Sequence, residues 1–480
     1  MIKFGTGGWR GIIGEEFTKE NIQKLALALC YKMKAERLAK EGIVIGYDRR
    51  FLSKEAVIWA CEIFTKQEIE VQFIDRSSPT PLIMYYVMIN RKPYGMMITA
   101  SHNPATYNGI KIFTEGGRDA DESQTADIER YLMKAEEKYV CDNTEKGKVP
   151  TSFYMESLKS GKVKTIHPLN EYLDNIIGTI DIQAIRKRDL RVAIDPMYGV
   201  SLIALTTILS ESRCTVETIN ARHDTLFGGK MPSPTESTMR NLQNYVLDRF
   251  CDIGVATDGD ADRLGVIDNQ GKFLHPNDIL VMLYYYLLKY KGWRGPVVRN
   301  ISTTHMLDKV AESFGEKCYE VPVGFKNISA KMQETDAILG GESSGGLTVK
   351  GHINGKDGIY AATLLVEMIA ISGKQLSDIS EDIRQKYGAS YMMENAYQFS
   401  PKEQKRLEQM LMLERDLPET QYEVEKVTYV DGCKVYFKNG GWISARFSGT
   451  EPLLRIFCEM EERKDAEMVC KEWEKHLKIS

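Results

Sequence analysis

A serine stands where an apolar segment of the sequence gives way to a turn. Residues 96–113 read "MMITASHNPATYNGIKIF", in which Ser101 follows the apolar run and the Asn-Pro pair favours a turn. The hydroxyl is therefore expected at the end of a strand rather than inside the core. The side chains of Ser101 and His102 diverge along an extended backbone, so a hydrolase-type Ser-His pair is not implied. An isolated "SHNP" also suits an ordinary turn, and the serine needs another activating group.

Three aspartates alternate with small residues in the stretch "ATDGDADRLGVID". Asp258, Asp260 and Asp262 lie between two apolar segments, and their carboxylates can converge only if a cation offsets their repulsion. Oxygen ligands without His or Cys favour Mg²⁺. The loop is not an EF-hand, because Arg263 stands where that motif needs Gly and Asn269 where it needs the bidentate Glu. A solvated acidic turn is the alternative interpretation.

Two further loops have groups suited to a sugar phosphate. In "GGESSGG", glycines flank Glu342, Ser343 and Ser344, so the backbone can approach a ligand whose hydroxyls meet a carboxylate and two hydroxyls. That segment alone is also typical of a flexible turn. "ARFSGTEPLLRIF" combines guanidinium groups, hydroxyls and a glycine N–H, which together suit a phosphate, in the residues Arg446, Ser448, Gly449, Thr450 and Arg455. A tight turn between strands is the alternative there, and Arg10 in "FGTGGWRG" adds a weak further signal.

These loops together indicate phosphoryl transfer on a sugar phosphate. A serine beside a metal site can carry a phosphoryl group, a hydroxyl-reading loop can hold a sugar, and a cationic loop can hold a second phosphate. An enzyme of haloacid-dehalogenase type, with an aspartate nucleophile, competes with this reading, but its DxD motif belongs early in the chain and the serine loop would have no role. A sugar-phosphate-binding relative without turnover is the non-enzymatic alternative.

The composition is that of a globular protein without a nucleic-acid-binding signature. The 480 residues are 43% apolar and 27% charged with a net charge of -4, so the basic surface that nucleic acid requires is not expected. Nine cysteines show no CxxC pair and are interpreted as free thiols. No apolar signal segment opens the sequence, and the longest apolar stretch, 279–288, is too short to span a bilayer. We expect a soluble cytoplasmic protein without a membrane partner, and predict no oligomeric state.

The chain alternates short apolar segments with longer segments of helical period, which favours βαβ units and mostly parallel sheets. This pattern occurs three times, and the turns "SSPTP", "PSPTE" and "VPVGFK" precede the polar loops at similar distances, so a triplication is predicted. A later hairpin at "FKNGGW" indicates a small α+β domain. The predicted fold class is α/β: three related α/β domains at 1–150, 166–272 and 273–388, with mixed, mostly parallel sheets, and a C-terminal α+β domain at 395–480.

Five segments in this order resemble the α-D-phosphohexomutase superfamily, which contains phosphoglucomutases and phosphomannomutases. They are "GTGGWRG", "TASHNP", "DGDADR", "GGESSGG" and "RFSGTEP", and the resemblance extends from Phe4 to the end of the tail. It implies four domains in a heart-shaped arrangement with the active site in a central cleft. It also implies an intramolecular phosphotransferase: phosphoserine donates to a hexose monophosphate, the bisphosphorylated sugar turns end for end, and the serine takes back the other phosphate.

The resemblance implies a role for each matching residue. Ser101 would be a phosphoserine that completes a Mg²⁺ site with Asp258, Asp260 and Asp262. The groups around the transferring phosphoryl group would be Arg10, His102, Lys111 and Arg263, with Lys111 or His102 moving the proton. The sugar contacts would be Glu342, Ser344 and the loop from Gly324 to Lys326, with His352 and Lys356 of "KGHINGKDG" lining the same cleft. The clamp on the nonreacting phosphate would be Arg446, Ser448, Gly449, Thr450 and Arg455.

The sequence departs from the family pattern at three positions. Phe447 stands where Pro is common and could alter the stiffness of the clamp, while Ser343 and Gly7 are not needed for the chemistry. The loops "GGESSGG" and "KGHINGKDG" are closer to glucose-type mutases than to phosphoglucosamine mutases, whose loop tends towards Gln and His. The resemblance therefore favours interconversion of glucose 1-phosphate and glucose 6-phosphate, with hexose 1,6-bisphosphate as intermediate and activator. A phosphomannomutase or a dual-specificity phosphohexomutase is the alternative.

Overall fold

The protein consists of two compact units. Its computed structural model describes residues 2–5, 7–139, 151–447 and 453–479. Unit 1 comprises Met1–Pro276 and Ser344–Ser377, and unit 2 comprises Asn277–Ser343 and Asp378–Ser480. Unit 1 therefore contains both the serine loop and the aspartate loop. Unit 2 contains Glu342 and the described part of the C-terminal phosphate loop.

Unit 1 begins with a seven-stranded sheet. Its strands are β1 (Trp9–Ile12), β2 (Ile43–Tyr47), β3 (Val71–Ile74), β4 (Tyr94–Ile98), β5 (Tyr107–Thr114), β6 (Arg118–Asp119) and β7 (Val163–Ile166). The strand order is β1-β5-β4-β2-β3-β7, with β6 paired to β5. The middle strands are parallel, whereas β5 runs antiparallel to both β1 and β4. The helices of this part are α1 (Lys19–Ala35), α2 (Ser53–Lys66), α3 (Thr80–Ile89), α4 (Glu122–Lys138) and α5 (Thr151–Lys159).

A second sheet follows in unit 1. Its strands are β8 (Arg191–Asp195), β9 (Thr215–Thr218), β10 (Ile253–Thr257), β11 (Leu264–Asp268) and β12 (Phe273–Leu274). The order is β12-β11-β10-β8-β9, in which β8 pairs in parallel with β9 and β10 while β11 is antiparallel to β10. Its helices are α6 (Leu169–Thr179), α7 (Ile182–Arg186), α8 (Leu202–Glu211) and α9 (Arg240–Arg249).

The third α/β part begins in unit 2. Its helices and strands there are α10 (Pro276–Lys289), β13 (Val297–Asn300), α11 (Met306–Ser313), β14 (Cys318–Val321), α12 (Phe325–Thr335) and β15 (Leu339–Gly341). Strand β13 pairs in parallel with β14 on one side and β15 on the other. The next residues form β16 (Leu347–Val349) and α13 (Gly358–Ser372), which belong to unit 1, and then α14 (Leu376–Tyr387).

The C-terminal part of unit 2 is a five-stranded antiparallel sheet with two helices. Its elements are β17 (Tyr391–Gln398), α15 (Pro401–Glu408), β18 (Val424–Thr428), β19 (Cys433–Phe437), β20 (Trp442–Phe447), β21 (Leu453–Met460) and α16 (Arg463–Leu477). The strand order is β17-β21-β20-β19-β18. The predicted hairpin at "FKNGGW" is confirmed as the β19–β20 turn. The α+β character predicted for the tail is also confirmed.

The predicted triplication is confirmed by both topology and side-chain detail. Three parallel strands repeat in the orders β3-β2-β4, β9-β8-β10 and β14-β13-β15. The central strand of each trio ends at or just before a polar residue, namely Asp48, Asp195 or Asn300. Each of these side chains accepts a hydrogen bond from the backbone N–H two residues further on, at 2.9, 2.8 and 2.9 Å. The three repeats therefore end their central strand with the same local turn.

The central strands of the first sheet are buried on both faces, which explains their continuous apolar sequences. Every residue of β2 and β4 is buried, as expected for parallel strands covered by helices on each side. Helix α3 lies very close to this sheet. A Cβ added at Gly46 would meet Ile83 Cδ1 at 2.3 Å, and one added at Gly95 would meet Val87 Cγ2 at 2.5 Å. Glycine at these positions therefore allows α3 to approach the strand from which the serine loop leaves.

The eight cysteines within the described ranges are all free, as predicted, and Cys141 lies outside those ranges. The longest apolar stretch, 279–288, forms most of the buried part of α10. Within the described ranges no single helix is both long and apolar enough to cross a membrane, and only the bent pair α13 and α14, taken together, reaches that length and composition.

Candidate active site

Ser101 lies in the loop after β4, and its hydroxyl faces the aspartate loop. The side chain is buried, and its Oγ donates a 2.6 Å hydrogen bond to Asp258 Oδ2. The backbone φ of Ser101 is 52°, in the left-handed region. His102 Nδ1 lies 3.4 Å from Ser101 Oγ. The prediction that these two side chains diverge is wrong, because a left-handed residue interrupts the alternation that an extended strand would impose.

The three predicted aspartates are buried together in the loop between β10 and β11. One oxygen from each of Asp258, Asp260 and Asp262 lies within 4.8 Å of the others. Asp258 Oδ1 accepts the backbone N–H groups of Asp262 and Arg263, both at 3.0 Å. Asp260 Oδ1 and Asp262 Oδ1 are buried without a hydrogen-bond partner. A solvated acidic turn is therefore excluded, and the set offers unsatisfied hard oxygen ligands of the kind that Mg²⁺ takes.

Two lysines reach the same carboxylates. Lys111 projects from β5, with its Nζ 2.7 Å from Asp260 Oδ2 and 2.6 Å from Asp262 Oδ2. Lys356 Nζ lies 3.1 Å from Asp262 Oδ2. A Cβ added at Gly346 would meet Lys356 Cδ at 2.2 Å. At least one glycine of the "GGESSGG" loop therefore makes room for a lysine of the protein itself.

The burial and the charges of this cluster shift the pKa values of its carboxylates in opposite directions. The pKa of Asp258 lies well above its ordinary value because burial disfavours the charged form, and Asp260 and Asp262 add to that effect. Burial also acts to raise the pKa of Asp262, but the cations Lys111 and Lys356 outweigh it and lower that pKa. For Lys111, burial acts to lower the pKa, and Asp260 and Asp262 reverse the shift. Lys111 is therefore a cation held against two carboxylates.

Arg10 and Arg263 lie close enough to His102 to affect its pKa. Arg10 lies in β1, and its Nη1 donates a 2.6 Å hydrogen bond to Asn103 Oδ1 in the serine loop. The pKa of His102 lies well below its ordinary value, chiefly through burial and also through the positive charges of Arg263 and Arg10. The imidazole is therefore neutral near pH 7. The structure brings the predicted residues of this group together around the serine loop of unit 1.

Three residues that contact these loops were not found from the sequence. Thr80, the first residue of α3, donates from Oγ1 to Asp260 Oδ2 at 2.6 Å, and its N–H donates to the Asp260 carbonyl at 2.9 Å. Arg50 Nη2 donates to the carbonyl oxygen of Ser101 at 2.7 Å. Asp48 accepts from Thr99 Oγ1 at 2.7 Å. The segment "GYDRR" could have indicated Asp48 and Arg50, because its charged residues come directly after a buried strand.

His352 lies in a buried polar cluster of unit 1. Its Nε2 is 2.6 Å from Asp357 Oδ2, and Tyr172 Oη donates to the same oxygen at 2.7 Å. The ring packs against Tyr360, with centroids 4.2 Å apart. Asp357 is also the N-cap of α13, since its Oδ1 accepts the N–H groups of Ile359 and Tyr360. His352 thus contacts the residue that follows Lys356 and begins this helix.

In unit 2 the structure brings together two of the predicted sugar contacts. Glu342 is buried, and its Oε1 accepts the N–H of Gly324 at 3.2 Å and the Nδ2 of Asn300 at 3.4 Å. Gly324 directly precedes α12, and Lys326 is the second residue of that helix. Ser344 is exposed. The carboxylate of Glu342 therefore fixes the turn that precedes α12.

The two described arginines of the predicted phosphate clamp each lie next to a carboxylate. Arg446 Nε lies 2.9 and 3.0 Å from the two carboxylate oxygens of Asp431, and Asp431 Oδ2 also accepts the N–H of Val323 at 2.8 Å. Arg455 Nη1 lies 3.4 Å from Glu394 Oε1 at the exposed face of β21. The remaining predicted clamp residues lie outside the described residues: Ser448, Gly449 and Thr450. Asp431 thus joins Arg446 to the loop that Glu342 also contacts.

Three repeated α/β parts, a C-terminal antiparallel sheet, and a serine facing three aspartates define the class of the α-D-phosphohexomutases. Comparison with known families agrees with this class. Sequence models for phosphoglucomutase/phosphomannomutase match the chain in order: the alpha/beta/alpha domains I, II and III at residues 1–139, 170–271 and 275–387, and the C-terminal domain at 402–476. The chain belongs to the phosphoglucomutase/phosphomannomutase family, whose members are mutases.

Similar proteins extend over nearly the whole chain. A phosphoglucomutase/phosphomannomutase of Thermococcus kodakarensis is 30% identical, covering 96% of this chain and 95% of its own length. A phosphoglucosamine/phosphogalactosamine mutase of Sulfurisphaera tokodaii is 26% identical, covering 98% of each. The crystal structure of a phosphoglucomutase/phosphomannomutase family protein from Burkholderia thailandensis superimposes with a TM-score of 0.82 at 21% identity, covering 100% of this chain and 98% of its own. These relatives are named for different sugar phosphates.

Proposed function

We propose that this enzyme is a phosphoglucomutase that carries the transferring phosphoryl group on Ser101 and interconverts glucose 1-phosphate and glucose 6-phosphate. One observation supports this proposal above the others. Ser101 Oγ lies 2.6 Å from Asp258 Oδ2, within a buried group of three carboxylates. A serine in that position is next to a candidate cation site, which is the arrangement a reversible phosphate carrier needs.

The residues of the aspartate loop fit Mg²⁺. Two buried carboxylate oxygens, Asp260 Oδ1 and Asp262 Oδ1, have no protein partner, and the donor set contains oxygen only. We assign the ion to Asp258, Asp260, Asp262 and an oxygen on phosphorylated Ser101. When bound, Mg²⁺ stabilises negative charge on the transferring phosphoryl group. The lysines that contact the carboxylates would then be available to the phosphate oxygens.

Different side chains have different roles in the proposed phosphoryl transfer. In the first half-reaction the bond between the Ser101 oxygen and phosphorus breaks while a bond between phosphorus and a sugar hydroxyl oxygen forms. In the second, the bond between phosphorus and the other sugar oxygen breaks while the bond between phosphorus and the Ser101 oxygen forms again. Either His102 or Lys111 moves the proton between the attacking hydroxyl and the serine oxygen. Arg10 and Arg263 stabilise the charge on the phosphoryl oxygens. The bisphosphorylated sugar stays bound between the two steps.

The proposed substrate contacts separate the sugar from its second phosphate. We assign the sugar hydroxyls to Glu342 and Ser344 with the Gly324 to Lys326 loop, and the cleft wall to His352 and Lys356. We assign the nonreacting phosphate to the clamp residues Arg446, Ser448, Gly449, Thr450 and Arg455. A buried carboxylate such as Glu342 can accept hydrogen bonds from sugar hydroxyls in a fixed direction. The proposed partner is therefore a small-molecule sugar phosphate, with hexose 1,6-bisphosphate as activator.

A hexosamine substrate is the second candidate. A phosphoglucosamine/phosphogalactosamine mutase matches the chain over nearly its full length, whereas the Thermococcus relative is named for glucose and mannose. The loop sequence "GGESSGG" favours glucose by its resemblance to glucose-type mutases. We therefore keep glucose as the proposed substrate and treat mannose and glucosamine phosphates as the competing ones.

The test is a mutase assay across sugars combined with mapping of the phosphorylated residue. The purified enzyme would receive Mg²⁺, a trace of glucose 1,6-bisphosphate, and in turn the 1-phosphates of glucose, mannose, glucosamine and ribose. We expect the highest kcat/KM for glucose 1-phosphate and one phosphate on the peptide that contains Ser101. A preference for glucosamine 1-phosphate would support the second candidate. Phosphate on Asp258, or no conversion of any sugar phosphate, would refute the mutase assignment.

A further inference from the structure

Ser101 adopts a backbone conformation that residues with a side chain rarely take. Its φ of 52° lies in the left-handed region. There the Cβ crowds the backbone, and only Gly adopts the conformation without a steric cost. Residues in such conformations persist when their surroundings hold them, and they cluster at functional sites. The groups that hold the Ser101 backbone are therefore candidates for a role in the reaction.

We propose that Asp48 is a positioning residue that holds the phosphate-carrying serine through two side chains, Thr99 and Arg50. We call Asp48, Thr99 and Arg50 the serine brace. The proposal rests on the proposed role of Ser101 as phosphate carrier. Its basis is that both backbone polar groups of Ser101 are bonded to side chains which themselves contact the buried carboxylate of Asp48.

The first arm of the serine brace runs through Thr99. Asp48 Oδ2 accepts a 2.7 Å hydrogen bond from Thr99 Oγ1, and Thr99 Oγ1 accepts a 2.8 Å hydrogen bond from the N–H of Ser101. The hydroxyl hydrogen is thus directed to the carboxylate, and the hydroxyl oxygen is directed to the serine N–H. Both side chains are buried, so water does not compete for these bonds. Asp48 therefore fixes the position of the Ser101 N–H through one intervening group, the Thr99 hydroxyl.

The second arm runs through Arg50. Arg50 Nε lies 3.3 Å from Asp48 Oδ2, and neither side chain has exposed surface. Its two terminal nitrogens donate to four carbonyl oxygens at 2.7 to 2.9 Å, those of Ser101, Asn103 and Pro104 in the serine loop and that of Tyr107 at the start of β5. A planar guanidinium with fixed donor directions can hold several carbonyls at once, which a lysine ammonium cannot do in the same geometry. Arg50 therefore holds the shape of the whole turn around Ser101.

The internal repeats provide a comparison for this assignment. Asp195 occupies the place of Asp48 in the second repeat and accepts the same type of backbone bond, from Met197. Its other oxygen accepts from Asn220 Nδ2 at 2.9 Å. The residue two positions further on is thus Met in the second repeat and Arg in the first. The turn itself needs only a side-chain oxygen that accepts the backbone N–H, since Asn300 makes it in the third repeat, so the guanidinium in the first repeat serves the serine loop.

Thr99 offers a matched pair of variants for the test. Thr99→Val keeps the size and branching of the side chain but removes the hydroxyl, whereas Thr99→Ser keeps the hydroxyl. In single-turnover experiments with glucose 1,6-bisphosphate, followed by intact mass, we expect Thr99→Val to slow phosphorylation of Ser101 by about 100-fold, the scale of a small misplacement of reacting atoms. KM should change little, and Thr99→Ser should recover most of the rate. Arg50→Lys should resemble Thr99→Val.

Two readouts separate positioning from simple loss of stability. The serine brace is overturned if Thr99→Val phosphorylates Ser101 at the wild-type rate, or if its loss of rate equals its unfolded fraction measured by circular dichroism. Hydrogen exchange at the Ser101 amide tests the brace without any turnover: we expect exchange at least 10-fold faster in Thr99→Val than in Thr99→Ser, and equal exchange would overturn it. If wild-type enzyme is neither phosphorylated nor active, the proposed function fails while the exchange experiment still decides the brace.

Discussion

Ser101 Oγ donates a 2.6 Å hydrogen bond to Asp258 Oδ2, although 157 positions separate the two residues in the chain. Each residue lies just after a parallel strand in its own repeat, the serine after β4 and the aspartate after β10. Polar groups collect at the carboxyl ends of parallel strands, and here two such ends meet within unit 1. The contact brings the proposed phosphate carrier to the proposed cation ligands.

Replacing Ser101 with Ala should remove the phosphate carrier while leaving the fold intact. We expect kcat to fall by at least about 10³-fold, as when other nucleophiles are deleted, and phosphate incorporation from glucose 1,6-bisphosphate to disappear. The thermal midpoint should stay near that of the wild type, since one small hydroxyl is lost. Ser210→Ala, at an exposed position of α8, is the control. Activity close to wild type in the Ser101 variant would contradict the assignment.

Mg²⁺ should stabilise unit 1 by binding to the aspartate loop. A ligand at 100 times its Kd stabilises the state it binds by about 2.7 kcal/mol, so addition of Mg²⁺ should raise Tm and EDTA should abolish turnover. In Asp262→Asn the Mg²⁺-dependent rise in Tm should disappear together with activity. Asp248→Asn, exposed on α9, should keep both. An equal rise in Tm for wild type and Asp262→Asn would show that the ion binds elsewhere.

The sequence predicted those parts of the site in which unusual residue types interrupt apolar segments. Asp258, Asp260 and Asp262 could be found because three carboxylates between buried strands repel one another unless a cation offsets their charge. The loops were also predictable as strand ends, because the α/β alternation is regular and repeats three times. The left-handed backbone of Ser101 was not predictable, since a serine in a turn can take either sign of φ.

The residues that hold these loops left only a weaker signal in the sequence. Arg50 donates to backbone carbonyls, and a carbonyl is present at every position of a sequence. Thr80 contacts Asp260 across 180 positions, and no spacing rule connects them. The buried Lys434 forms an ion pair with the partly buried Glu320 within unit 2, although each stands in an ordinary strand pattern. Such long-range pairs follow from tertiary packing rather than from local periodicity.

Glu342 should select the sugar through its buried carboxylate. Glu342→Gln keeps the shape and an oxygen for the Gly324 N–H, but it replaces one charged acceptor with an amide donor. We expect kcat/KM for glucose 1-phosphate to fall by about 100-fold, the loss expected when a charged hydrogen bond to substrate is removed. Glu334→Gln, exposed on α12, is the control. An unchanged kcat/KM profile across the sugar phosphates would remove Glu342 from the proposed sugar site.

Arg446 should act through its planar guanidinium as well as its charge. Its Nε lies within 3.0 Å of both Asp431 oxygens, which fixes the plane of the group. Arg446→Lys keeps the charge but loses this geometry, and we expect KM to rise by about 10-fold with a smaller change in kcat. Free glucose 1,6-bisphosphate should also accumulate during turnover. Arg463→Lys on the exposed face of α16 should have no effect, and unchanged KM with no released intermediate in Arg446→Lys would contradict the clamp role.

Lys434 should make the stability of unit 2 depend on pH. Its Nζ is buried, 2.7 Å from Glu320 Oε2 and 2.6 Å from the carbonyl oxygen of Ile301, and it lies 3.1 Å from His305 Nε2 and 4.0 Å from the centroid of Trp442. Burial lowers the pKa of Lys434 from 10.5 to about 7, and the charge of Arg299 adds to this, while Glu320 and Glu459 act in the opposite direction. The native lysine therefore releases its proton at a lower pH than the unfolded one.

The sign of the effect follows from proton binding. Below pH 7 both states hold the proton, so the cost of burying the charged lysine is fully present. Between pH 7 and 10.5 the unfolded state binds more protons than the native state, and the free energy of unfolding should rise by up to about 1.4 kcal/mol per pH unit. Lys434→Met should flatten the dependence of the urea midpoint on pH between 7 and 9, whereas Lys471→Met on α16 should not. Equal slopes for wild type and Lys434→Met would show that this lysine stays charged in the native protein.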